Sequence, residues 1–265
     1  MASNPGVITD RSVSIGRVLS RAFETMGSNP VAIFGISLLF GAVPGLVTNY
    51  IGEGLRANAK PFDLAIVGFS IVSALLGIVF TMLVQGALVR ATVAHSEGRV
   101  ASFGECALAG LRVVLPLFFL GVLLGLGVVF GFLLLIVPGV MLYVMWIVAA
   151  PALVEERIGV FEAFGRSRYL TKGARWSVFA ICLIFVVMYW IFSAVTSSLL
   201  LATYGFQGLA AAIQRGGLPI WYILITVIVS TLINAVVATI QTSLYVELKT
   251  WKDGPGTETL ADVFA

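Results

Sequence analysis

From Val113 to Val154 the chain carries no charged side chain, and the run is broken by a single Pro-Gly pair, Pro138-Gly139. A span of the hydrocarbon core takes about 20 apolar residues, so about forty in a row make two spans and are too many for one. Proline removes a helical hydrogen bond and glycine admits a reversal. The run therefore predicts a transmembrane hairpin with a tight, uncharged turn at Pro138-Gly139 on the extracytoplasmic side. Arg166, Arg168, Lys172 and Arg175 follow, just ahead of Trp176 and another apolar run, so the chain returns to the membrane surface and enters again.

The rest of the chain fits that reading. It is 59% hydrophobic and 11% charged, with a mean hydropathy of +1.04, against about 25% charged residues in soluble domains. Apolar runs predict six spans, near 31–51, 64–93, 113–137, 140–154, 177–203 and 219–246, with Pro44-Gly45 kinking the first. Between them lie amphipathic stripes. Ile15, Val18, Leu19, Ala22, Phe23 and Met26 recur at helical spacing, as do Phe103, Cys106, Ala107, Gly110 and Leu111, and Val160, Ala163, Phe164, Ser167 and Leu170. Ser14 is placed to cap the first stripe, and Ser102 with Glu105 has the form of a capping box before the second. The expected fold is an all-α membrane protein: one polytopic domain over 1–265, with six transmembrane helices in three hairpins. Each hairpin is preceded by an interfacial amphipathic helix. The pattern suggests repeats at 11–95, 100–156 and 157–250, between a disordered lead-in over 1–10 and a tail over 251–265. The N-terminal segment lacks the form of a signal peptide.

Charge sets the expected orientation. Only Arg56, Lys60 and Arg215 of the 16 Lys and Arg fall in the loops on one side. The positive-inside rule then puts both termini and the amphipathic segments in the cytoplasm.

Chemistry is sparse. The single histidine, His95, stands in a loop with no partners at metal-ligand spacing, and there is no HExxH, Walker A or GxSxG element. Cys106 and Cys182 lie in or beside apolar segments, as reduced or membrane-buried thiols do. No catalytic residue, metal or cofactor is expected, and nucleic acid is not an expected partner. Asn49, Gln85, Asn234 and Gln241 are the polar members of the spans, read as hydrogen-bonding glue between helices. The basic group Arg166, Arg168, Lys172 and Arg175, with Trp176, has two compatible readings. It sets topology, or it binds anionic phospholipid headgroups at the cytoplasmic face, each cation contributing on the order of 1 kcal/mol.

The runs IVPGVMLYVMW and AAPALVEERIGVFEAFGRSRYLTKGARWSVF, with SLYVELKTWKDG near the end, resemble the membrane-domain family named after glycerophosphoryl diester phosphodiesterases. The matching positions are Pro138, Gly139, Pro151, Glu155, Glu162, Ala163, Arg166, Ser167, Leu170, Gly173 and Trp176, with Tyr245, Leu248 and Lys249 closing the pattern. The resemblance is dense only from Leu133 to Phe179. It implies a multi-pass protein of the bacterial inner membrane. The catalytic domain of the name-giving members, with its His-Arg-Gly element and acidic metal ligands, has no counterpart here, so the resemblance does not imply phosphodiesterase activity. The expected function is a structural or lipid-associated role, with anionic phospholipids, further copies of the chain or other membrane proteins as partners. The alternative is a transporter or channel for a lipid-like or apolar solute.

Overall fold

In a computed structural model, residues 13–56, 63–214 and 220–254 are described. Among them every regular element is a helix, and six helices are long and apolar enough to cross a membrane. The chain is an all-α, multi-pass membrane protein.

α1 (Ile15–Ser28) starts at Ser14, whose hydroxyl accepts the Arg17 N–H at 3.4 Å. Val18, Ala22 and Met26 of its predicted face are buried, but Phe23 is exposed. The buried side packs on the protein itself: Val18 and Ala22 cluster with Leu244 and Leu248 of the last helix, and Met26 joins a second cluster with Ile33 and Leu88. The first span combines α2 (Pro30–Ile36), a π-helical segment (Ser37–Ala42) and α3 (Val43–Arg56). The irregularity lies just before Pro44 because the proline ring and its missing N–H act on the preceding turn, and the wider π geometry absorbs both.

α4 (Leu64–Ser96) and α5 (Phe103–Leu134) form the first full hairpin, crossing where Gly86 meets Gly110. A Cβ on Gly110 would lie 2.5 Å from the Leu83 carbonyl oxygen, so only glycine permits this approach. The second amphipathic stripe is not a separate surface helix: it forms the first turns of α5, continuous with the third span. Half of the expected capping box is made. Ser102 Oγ accepts the Glu105 N–H at 3.2 Å, while the Glu105 carboxylate pairs instead with Arg90 and Arg99.

The fourth span is α6 (Ile136–Trp146) followed by α7 (Ala149–Glu156). The reversal before it corrects the sequence reading: the extended residue is Leu135, and Pro138-Gly139 lies inside the first turn of α6. Proline is tolerated there because first-turn N–H groups have no intrahelical acceptor. Gly139 serves a contact instead. A Cβ on Gly131 would lie 2.8 Å from the Gly139 Cα, so α5 and α6 touch backbone to backbone.

α8 (Val160–Thr171), α9 (Arg175–Gln214, kinked at Gly205) and α10 (Ile220–Asp253) complete the chain. α10 is the hub. Ala235 and Ala238 join one buried cluster with α2 and α4, and Ile240, Leu244, Tyr245 and Leu248 join another with α1, α6, α7 and α9. Burial concentrates toward the end of the bundle that carries the charges. The stretches far from it, such as Leu64–Leu76 and Val129–Val137, leave their large apolar side chains exposed, as lipid-facing surface does.

Candidate functional site

The site is built around a deliberate break in the fourth span. Pro151 has no N–H to give the Ile147 carbonyl four residues earlier, and the chain between α6 and α7 leaves carbonyls open. Side chains from other helices fill the gap. Gln241 of α10 donates its Nε2 to the Ile147 oxygen, and Gln85 of α4 in turn donates to Gln241 Oε1 at 2.8 Å. Ser167 of α8 donates to the Met145 oxygen at 2.8 Å, and Thr171 reaches the same oxygen at 3.4 Å. Gln85 and Gln241 are therefore interhelical glue, as expected, whereas Asn49 donates within its own helix, to the Gly45 carbonyl at 2.9 Å. Ser167, a motif residue, is the link that seats α8 on the break.

Below the break α7 ends at Glu156, with Arg157 left-handed at φ 51°. Glu156 accepts the Tyr245 hydroxyl at 2.9 Å and Arg166 Nε at 2.8 Å, and Arg166 also pairs with Asp253. Asp253, with Glu156 beside it, holds the Arg166 guanidinium more firmly protonated than usual, against the opposing effect of burial. Arg166 thus ties α7, α8 and the end of α10 together. Among the basic residues predicted to grip a headgroup, it is already spent on protein carboxylates. Glu162 has a local role, its carboxylate accepting the Gly159 N–H at 3.0 Å to cap α8. Gly173 takes φ 97° beside the Trp251 ring, a conformation that favours glycine.

The other predicted residues divide. Arg168 and Lys172 are exposed on α8 and its end, with no ion pair among the described residues. Arg175 is half-buried. Its Nη2 lies 4.0 Å from the Met145 sulfur, and its buried Nε has no hydrogen-bond partner among the described residues. Trp176 is 85% exposed and stacks edge-on against Phe179 at 6.1 Å. Arg175, Trp176 and Phe179 form the rim of a groove of about 510 Å3 whose other wall is α6, from Ile136 through Val140 to Val144. The groove is apolar along its length and cationic at its mouth. This was not legible in the sequence, because the wall and the rim are separated by α7 and α8.

Glu155, adjacent to Glu156, faces away from this network into a separate cleft of about 900 Å3 between α4, α5 and α7. Among the described residues no three His, Cys, Asp or Glu side chains gather at metal-binding distance. No protein-family profile, curated protein or solved structure matches this chain.

Proposed function

We propose that this chain is a lipid-associated protein of the bacterial inner membrane. It holds an anionic phospholipid in the groove between α6 and α9, keeps both termini in the cytoplasm, and has no chemistry of its own. The observation that carries the reading is the pairing of an apolar groove with the Arg175–Trp176 mouth. An acyl chain fits the α6 wall. Arg175 lines the groove with no carboxylate partner among the described residues, so its guanidinium is left to donate to a phosphate or glycerol oxygen at the mouth. Trp176 suits the interface, with an apolar ring and one N–H donor. Arg168 and Lys172, free of carboxylates, add positive potential on the same side. Arg166 does not take part, because its partners are internal. The resemblance of the 133–179 region to membrane domains, and the gathering of ion pairs at one end of the bundle, support the orientation.

The test is quenching of tryptophan fluorescence by phospholipids brominated along the acyl chain, in detergent or nanodiscs. The Trp176 contribution is taken as the difference from Trp176→Phe. Brominated phosphatidylglycerol should quench Trp176 more strongly than brominated phosphatidylcholine, and Arg175→Gln should remove the difference. Equal quenching by both lipids in the unaltered protein would refute the headgroup assignment.

A further inference from the structure

The cleft between α4, α5 and α7 lies apart from the groove and uses none of its residues. Glu105, Leu108, Ala109 and Arg112 line one face of α5 at helical spacing, Arg90 enters from α4, and Val154, Glu155 and Arg157 close the far side. Arg90 and Glu105 satisfy one another at 2.9 Å. That leaves Arg112, Arg157 and Glu155, none of which has an ion pair or side-chain hydrogen bond among the described residues. The contrast with Glu156, the next residue, is sharp: Glu156 is bound by Arg166 and Tyr245. Arg157 holds a left-handed backbone at the end of α7, which directs the chain away from the helix just where its guanidinium borders the cleft. Beneath the charges, Ala109, Val113 and Val154 give the cleft an apolar floor.

Two unpaired guanidinium groups and one unpaired carboxylate over an apolar floor are the complement of a particular ligand chemistry. We infer that this cleft is a second binding site, for a phosphate ester that carries a primary ammonium group, of the kind found in ethanolamine-type phospholipid headgroups. Arg112 and Arg157 take the phosphate oxygens through charge-assisted hydrogen bonds, Glu155 accepts from the ammonium, and the apolar floor meets the glycerol and the first methylenes of the chains. A trimethylated ammonium has no N–H to give Glu155 and is disfavoured. The inference concerns ligand class at a different site and does not depend on the groove.

Isothermal titration of the full detergent-solubilised chain tests it with three probes: dihexanoyl phosphatidylethanolamine, dihexanoyl phosphatidylcholine and O-phosphoethanolamine. The ethanolamine lipid should bind more tightly than the choline lipid. Arg112→Gln with Arg157→Gln should weaken both about tenfold or more, the loss of at least one charge-assisted contact. Glu155→Gln should abolish the preference for ethanolamine. The single variant Arg112→Gln, at an exposed position with no protein partner, keeps the test interpretable if the double variant misfolds. O-phosphoethanolamine binding as tightly as the lipid would support the same chemistry and name a soluble phosphate ester as the source. Absence of binding by both ammonium probes, or binding unchanged in Arg112→Gln and in the double variant, would overturn the site. A preference for ethanolamine that survives Glu155→Gln would overturn the role of Glu155.

Discussion

Replacing Gly131 with alanine tests the α5–α6 hairpin where the two backbones meet. The new Cβ would lie 2.8 Å from the Gly139 Cα and 3.0 Å from its nitrogen, both of them backbone atoms that cannot rotate away. Carbon atoms in comfortable contact sit about 3.5–4.0 Å apart, so the helices must separate by roughly 1 Å at that level. Separation also disturbs Gly127, which lies against the Trp146 ring on the same face. Overpacking of this kind costs about 1–3 kcal/mol. Gly125→Ala is the matched control, on the same helix with nothing within 4 Å of its Cβ. Both variants gain the same intrinsic helix preference of alanine over glycine, about 1 kcal/mol. Their difference therefore isolates the clash. Titration from mild detergent into sodium dodecyl sulfate, followed by tryptophan fluorescence and far-ultraviolet circular dichroism, gives the two stabilities. Gly131→Ala should unfold earlier than Gly125→Ala by a gap of about 1–3 kcal/mol. Equal midpoints for the two would show that α5 and α6 do not touch at Gly131 and Gly139.

The broken span offers a second test. Gln241→Leu removes the donor that replaces the N–H missing at Pro151 and strands both the Ile147 carbonyl and Gln85, so it should cost about 1–3 kcal/mol in the same titration; a neutral effect would mean that the carbonyl has another donor. Arg166→Gln should also destabilise, by about 1.5–3 kcal/mol through Glu156 and Asp253, while leaving co-purified lipid unchanged. Loss of lipid without loss of stability in that variant would return Arg166 to the headgroup site.

Legibility in the sequence followed the range of the interactions. The spans were readable because length and hydropathy act locally, as were the α1 face and the Ser14 and Ser102 caps. The hairpin reversal was expected three residues too late, at Pro138-Gly139, because proline in a first turn and glycine at a contact look like turn residues when their neighbours are unknown. The stripe at Phe103 to Leu111 read as a separate helix, but α5 runs on from it into the third span and continues through Pro116. The basic group was visible, yet its division was not. Arg166 meets Asp253, 87 positions away, and Arg175 meets a groove wall formed by α6. The central place of α10 was hidden for the same reason: its small buried residues Ala235, Ala238, Thr239, Thr242 and Ser243 look unremarkable until the other helices pack around them.

The most direct measurement of the proposed role is native mass spectrometry of the gently solubilised protein, comparing the unaltered chain with Arg175→Gln. The account predicts that the unaltered chain leaves the detergent micelle with anionic phospholipid bound, and that Arg175→Gln loses most of it while remaining folded. A chain released free of anionic lipid, or an Arg175→Gln variant that retains as much as the original, would contradict it.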